Sequence, residues 1–403
     1  MTGINHDLMF TNRQLFYDHL AQTSDSPLAL EIIKAEGIYL FDVSGKKYMD
    51  LISGISVSNT GHRHPAVVKA IKDQVDNYLH LMVYGEFIQS PQVKLAAALS
   101  GLLPGKLNNC YFVNSGSEAV EGALKLAKRF TGRRKMAAFN NAYHGSTHGS
   151  LSMMGNETFM KPFYPLLPEV VHLEFNSTEG FKSITNETAC VIVEPVQGEA
   201  GIVAATQEFL TGLRDRCDET GALLIFDEIQ TGIGRTGSMF AFEKYKVVPD
   251  ILLLAKALGG GMPIGAFISS CEIMQTLSFN PSLGHITTFG GHPVSCAAAL
   301  ANLKVIRDEK LVESIEAKSR LFLQLLGKSK VIRQIRSAGL MLALQMDDFS
   351  TVKKVIDRCI QNGVILDWFL FNDSSIRIAP PLTISEKDIE EACGVIARAM
   401  EEN

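Results

Sequence analysis

Nothing in this sequence points to a disulfide framework. Its seven cysteines (Cys110, Cys190, Cys217, Cys271, Cys296, Cys359 and Cys393) are scattered, odd in number and never spaced C-x-x-C. That pattern reads as reduced core thiols in a reducing compartment. Long apolar runs are missing too: no stretch approaches the roughly 20 residues that a membrane-crossing helix needs. The opening Met-Thr-Gly-Ile-Asn-His-Asp has no basic region followed by an apolar one, so no secretory leader is expected. An excess of one charge is also absent. Lys and Arg number 38 against 43 Asp and Glu, giving a net charge of −5 and a pI near 6.1. There is no electrostatic footprint for nucleic acid or an anionic membrane. No internal repeat or low-complexity segment stands out. These absences predict a soluble, cytoplasmic protein with no nucleic-acid and no membrane partner.

What is present has the composition of a globular enzyme. Hydrophobic residues make up 46% and charged residues 20% of 403 residues, a length that suits two or three sub-domains around separate cores. Two short apolar runs, 223–226 (Leu-Leu-Ile-Phe) and 251–255 (Ile-Leu-Leu-Leu-Ala), each end in one ionisable residue, Asp227 and Lys256. Short apolar runs bounded by turn signals fit buried strands. The ends of such strands are where α/β sheets keep their ligand crevices. A charge there needs a partner. Two readings meet that need: Asp227 and Lys256 pair with each other or reach solvent, or a pyridoxal phosphate supplies a partner for each.

Other stretches bear on that choice. Residues 37–50 read as a hairpin with its turn at 42–46. His62 and His64 have no third ligand at useful spacing, so no metal site is expected. The strand 109–114 runs into Ser115-Gly116-Ser117-Glu118, a capping-box spacing that leaves the backbone N–H groups of Gly116 and Ser117 at a helix start, fit for a phosphate. Tyr143, after the next strand, fits either a stacked ring or core packing. A further strand ends in Glu194, and Glu199 follows in its loop. Gln230 lies three residues past Asp227. Glycines at 259–261 and Gly265 allow backbone to approach a bulky ligand. Thr287 and Thr288 precede a small-residue helix opening at Val294. From about residue 304 the pattern changes to a long amphipathic helix over 304–326, a strand over 339–345, a helix over 350–362, short strands, and a final helix near Ser385. Arg377, on a strand leading to Pro380-Pro381, fits either a carboxylate or a surface salt bridge.

Taken together, Ser115-Gly-Ser-Glu118, Glu194-Pro-Val-Gln-Gly-Glu199, Asp227-Glu-Ile-Gln-Thr-Gly232, Lys256-Ala-Leu-Gly-Gly-Gly261 and Thr288-Phe-Gly-Gly-His-Pro293 resemble the class III (ornithine/acetylornithine type) aminotransferases, pyridoxal-phosphate enzymes of fold type I. The matching segments spread from Gly37 to Leu382. The resemblance implies an α/β fold. A large cofactor domain (56–303) would hold a mostly parallel central sheet flanked by helices. A smaller α+β domain would be built from residues 1–55 and 304–403. It implies Lys256 as the Schiff-base lysine and proton carrier, Asp227 as partner of the pyridinium nitrogen, and Gln230 at the ring hydroxyl. Gly116 and Ser117 would cup the phosphate and Tyr143 would stack on the ring. Thr288 would reach the phosphate of a neighbouring subunit in a homodimer. Arg377 would take the substrate carboxylate, with Glu199 as the acid that pairs with it and moves aside, and Thr287 near the substrate.

The implied reaction moves an amino group between a donor (ornithine, acetylornithine or another ω-amino acid) and a 2-oxo acid. Two positions depart from the family pattern. Ser146 stands where many members carry an arginine that helps bind a dicarboxylate such as 2-oxoglutarate, and His292 stands where asparagine is usual. Relatives lacking that arginine include aminomutases of the glutamate-1-semialdehyde type and transaminases that use pyruvate with ω-amines or β-amino acids.

Overall fold

The computed structural model describes residues 11–83 and 85–401. The first seven residues, read above for a leader, lie outside the described residues. After helix Asn12–His19 come three antiparallel strands: β1 (Ile32–Glu36), β2 (Tyr39–Asp42) and β3 (Lys47–Asp50). The turn between β2 and β3 closes on Asp42, whose Oδ1 accepts the N–H groups of Ser44 and Lys46. This is the expected hairpin, and the aspartate in its turn acts as a local hydrogen-bond acceptor.

The central sheet begins with β4 (Asn109–Val113), β5 (Lys135–Phe139), β6 (Val170–Leu173) and β7 (Thr188–Val193). A short ribbon follows, β8 (Val196–Gln197) with β9 (Val203–Ala204), and then β10 (Leu223–Asp227), β11 (Ile251–Leu254) and β12 (Gly265–Ser269). The sheet order is β4-β12-β11-β10-β7-β5-β6. Only β12 runs against its neighbours; the other pairs are parallel. Parallel strands open their C-terminal ends on one edge, so the residues following β4, β5, β7, β10 and β11 gather there.

The side chains of β10 and β11 explain why these runs are apolar throughout. Leu224, Phe226, Leu252 and Leu254 enter one core, and Leu223, Ile225, Ile251 and Leu253 enter another. Alternate residues point to opposite faces, and both faces are covered. Helix Gly116–Thr131 buries Ala119, Val120, Ala123 and Leu124 in the second core. Helices Gln207–Thr220 and Pro293–Asp308 bury Phe209, Leu213, Cys296 and Leu303 in the first.

Further on come β13 (Gln334–Ser337), β14 (Leu342–Gln345), β15 (Val364–Ile365), β16 (Asp367–Trp368) and β17 (Ser375–Ile378). Four of them form a sheet in the order β13-β14-β17-β16, while β15 leaves to pair in parallel with β3.

Two expectations need correction. The helix read over 304–326 is two helices, Pro293–Asp308 and Ile315–Leu326, separated by a turn in which Lys310 takes a left-handed φ of 51° and by a 3-10 turn at Leu311–Ser314. Leu303, Ile306, Leu311 and Ile315 all enter the same core, so the apolar rhythm continues where the helix does not. The expected domain boundary at residue 303 falls within the first of these helices. The strand read over 339–345 starts at Leu342, because Gly339 is a turn residue with φ 62°. Among the described residues no helix is long and apolar enough to cross a membrane.

Candidate active site

The gathered strand ends enclose a cavity of about 440 Å3 whose lining includes Gly116, Ser117, Tyr143, Asp227, Gln230 and Lys256. A larger cavity of about 790 Å3, between helices Pro65–Asn77, Ser90–Leu102 and Pro293–Asp308, contains none of these residues.

At the end of β4, Ser115 caps helix Gly116–Thr131: its Oγ accepts the N–H of Glu118 at 3.2 Å. The return bond of the expected box lands one residue earlier. Glu118 Oε2 accepts both the backbone N–H of Asn114 at 2.7 Å and its Nδ2 at 2.9 Å. The first-turn N–H groups of Gly116 and Ser117 therefore stay available to a ligand, with the helix dipole behind them. Backbone closeness fixes this turn. A Cβ on Gly265 in β12 would stand 2.2 Å from the carbonyl oxygen of Ser115, and one on Gly145 would stand 2.1 Å from Ser117 Oγ. Gly265 thus admits the Ser115 backbone, not a ligand as its sequence suggested.

Asp227 ends β10 fully buried. Its Oδ1 accepts the Ile229 N–H at 3.0 Å and its Oδ2 lies 2.7 Å from His144 Nδ1. Lys256 follows β11 with a left-handed φ of 42°, a strained backbone for a residue with a Cβ. Among the described residues no ion pair joins Lys256 to Asp227, which removes the reading that they pair with each other. Burial pushes the Lys256 ammonium below its ordinary pKa, with the nearby Glu199 charge acting the other way and Arg377 adding to the fall. Glu194, next along the edge, accepts the N–H groups of Tyr143 and Gly198, each at 3.0 Å. Its burial raises its carboxyl to about 7.

Gln230 is buried against the loop after β8: a Cβ on Gly198 would meet its Oε1 at 2.0 Å. From that loop Glu199 reaches Arg377, Oε2 to Nη2 at 2.6 Å, with both side chains buried. The half-buried Tyr143 sets its hydroxyl 3.3 Å from Ser146 Oγ and its ring 6.4 Å from that of Phe371. The threonines lie apart from the cavity. Thr287 Oγ1 accepts Asn114 Nδ2 at 3.0 Å, and Thr288 is exposed.

A profile of the family described as "Aminotransferase class-III" matches residues 20–400. The chain belongs to the class III aminotransferases. The acetylornithine aminotransferase of Methanopyrus kandleri is 41% identical over 386 residues, covering 95% of this chain and 96% of that protein. The LysW-aminoadipate semialdehyde/glutamate semialdehyde transaminase of Sulfolobus acidocaldarius is 39% identical, covering 92% and 95%. Among solved structures, an ornithine aminotransferase from Toxoplasma gondii superposes with a TM-score of 0.90 at 28% identity, covering 98% and 96%. A transaminase from the marine bacterium Virgibacillus superposes at 0.91 with 27% identity, covering 97% and 98%. These likenesses bear out the fold type and the transamination reading, and they do not favour the aminomutase.

This aminotransferase also uses residues that its sequence did not announce. His144, in the loop after β5, holds Asp227. Arg235 is fully buried, its guanidinium giving hydrogen bonds to the carbonyls of Leu340 and Pro380 and to Asn59 Oδ1. Nothing in Gly234-Arg235-Thr236-Gly237 separates it from an ordinary turn arginine. His64 and His292 each precede a proline and cap the helix that follows, Nδ1 accepting the N–H of Ala66 and of Val294 at 3.3 Å. The histidine at 292 is thereby given a structural use.

Proposed function

We propose that this chain carries out a pyridoxal-phosphate-dependent transamination in the Lys256 cavity, taking the ω-amino group of acetylornithine or ornithine and giving it to a 2-oxo acid. The observation that carries this reading is the convergence of an unpaired buried amine, a buried carboxylate and a helix N-terminus on one cavity. Those groups fit the cofactor. The first turn at Gly116 and Ser117 suits its phosphate, Asp227 its ring nitrogen, Gln230 its hydroxyl, Tyr143 its face and Lys256 its aldehyde. Bound there, pyridoxal phosphate supplies the aldehyde that accepts the amino group and a ring that spreads carbanion charge.

The chain's own residues do the rest. His144 aims Asp227, its Nδ1 facing Oδ2 at 2.7 Å from the loop after β5. Lys256, its ammonium destabilised by burial, is the base that carries a proton to and from the substrate carbon. Arg377 binds the substrate carboxylate. Glu199 covers Arg377 when the substrate lacks a carboxylate there and withdraws when it has one. Thr287, bonded to Asn114, would contact the substrate, and Thr288, exposed here, would serve the phosphate of a second subunit in a homodimer. The large domain holds the cofactor, and its boundary with the small one is drawn after Asp308, where the helix ends. The enzyme works in the cytoplasm.

Support for the donor comes from the relatives named above. The test is a half-reaction screen. Purified protein loaded with pyridoxal phosphate is mixed with single donors, and the cofactor absorbance is followed. Fastest loss with acetylornithine or ornithine is expected. Loss only with other amines overturns the donor, and no loss with any amine overturns the reading. A second screen of the aminated enzyme against 2-oxoglutarate and pyruvate assigns the acceptor, where Ser146 departs from the family arginine.

A further inference from the structure

The carboxylate anchor has a second acid. Asp367 and Arg377 face each other across the antiparallel pair β16–β17 as register partners. Asp367 Oδ1 lies 3.4 Å from Arg377 Nε, an ion-pair distance without a hydrogen bond. On the other side Glu199 takes Nη2, which also donates to the Trp368 carbonyl at 3.2 Å. The ring of Phe369 lies under the guanidinium, 4.6 Å from its centroid to Cζ. That leaves Nη1, buried and without a hydrogen-bond partner, to face an incoming group.

The two acids are mounted differently. Glu199 sits in the loop between β8 and β9, held by the N–H groups of Leu370 and Phe371. Asp367 sits on the same sheet as Arg377. A substrate carboxylate on Nη1 would be the third around one guanidinium, in a site largely closed to water. Like charges at such range repel strongly unless one leaves or is neutralised. Glu199, on the β8–β9 loop, is the acid that the proposed function moves aside. Asp367, fixed by its strand, loses its charge only by protonation.

We propose that Asp367 gates the Arg377 site, taking up one proton when a substrate carboxylate binds there and releasing it when the carboxylate leaves. This rests on the reading of Arg377 as the anchor. The proton comes from solvent and returns to it, and no substrate bond changes. The charged groups acting on Asp367 are Arg377 from β17, Glu199 from the β8–β9 loop and Asp50 from the end of β3. Burial dominates and lifts the Asp367 carboxyl to about 7, against the pull of Arg377. Since the free site loses its proton above that pH, carboxylate binding weakens as pH climbs beyond 7 and is unaffected well below it.

The test uses holoenzyme and glutarate, an unreactive dicarboxylate, in calorimetric titrations between pH 6 and 9 in two buffers of different ionisation heat. The gate's proton is the difference between wild type and Asp367→Asn, whose amide has the shape of the protonated acid. Wild type is expected to take up about one more proton per glutarate at pH 8 to 9 than the variant. Its Kd is expected to rise by up to about tenfold per pH unit above 7. Asp367→Asn is expected to bind up to about a hundredfold tighter than wild type at pH 9 and to match it at pH 6. Equal proton counts in the two proteins overturn the gate. So does a variant weaker at every pH, which is the mark of a structural role. Should that variant fail to hold cofactor, Asp367→Ser takes its place under the same criteria. Arg377→Gln separates the two readings. If glutarate binds it as well as wild type, the anchor itself is wrong; if binding is lost but wild type shows no such pH dependence, only the gate fails.

Discussion

His144 Nδ1 stands 2.7 Å from Asp227 Oδ2 with both side chains closed to solvent. The pair joins the loop after β5 to the end of β10. A buried carboxylate that loses its partner bears the cost of an unsatisfied charge. His144→Ala is therefore expected to lower the stability of the cofactor-free chain by about 1–3 kcal/mol in urea denaturation. It should also speed the loss of pyridoxal phosphate on dialysis. Unchanged stability and unchanged cofactor retention would show that the contact positions nothing.

Lys256→Ala separates chemistry from folding. Turnover is expected to fall by at least about 10³-fold, because among the described residues no other lysine lines the cavity to move the proton. The cofactor-free chain should behave oppositely. Burial depresses the Lys256 pKa from 10.5, so the folded state binds fewer protons than the unfolded one, and the lysine costs stability at neutral pH. The variant is expected to be the more stable protein at pH 7, with the gap closing as pH climbs toward 10.5. A gap that widens with pH contradicts the assigned environment.

Arg235 is a staple between distant segments. Replacing it with Leu leaves the Leu340 and Pro380 carbonyls and Asn59 Oδ1 buried without a donor. We expect a loss of about 3 kcal/mol, read as a lower urea midpoint at unchanged slope. Burial already lowers the arginine to about 9, so Arg235→Lys does not rescue it: an ammonium cannot reach all three acceptors.

Gly265→Ala drives a Cβ into the Ser115 carbonyl at the helix cap. Overpacking of this kind costs about 1–3 kcal/mol and shifts the phosphate turn, so weaker cofactor binding accompanies the lost stability. Gly101→Ala is the control. It lies in helix Ser90–Leu102 with nothing within 4 Å of the added carbon, and the change should stabilise slightly. Equal effects at the two positions would refute the close-approach argument.

What was legible in the sequence is what repeats a local rule. Apolar runs gave β7, β10 and β11, because strands buried on both faces have no polar alternation to obscure them. Each run ended in the ionisable residue that faces the cavity. β12 went unread because Gly-Ala-Phe-Ile-Ser opens on two small residues inside a glycine-rich stretch and so lacks the apolar run that marked its neighbours. The break after Asp308 carries neither Gly nor Pro. His144, Arg235 and Asp367 belong to another class: each matters through a partner far away in sequence, and no local pattern encodes such a partner. Asp367 reads as a polar strand residue until β17 sets Arg377 opposite it.

The parallel pairing of β15 with β3 bears on how the chain is made. A ribosome releases Lys47–Asp50 long before Val364–Ile365. Through that interval the outer edge of β3 has exposed N–H and C=O groups and no strand to receive them. The hairpin thus waits for its last strand, and the sheet closes only after Val364–Ile365 has emerged. A chain that stops short of Val364 keeps that edge open for good, and an open edge recruits strands from other chains.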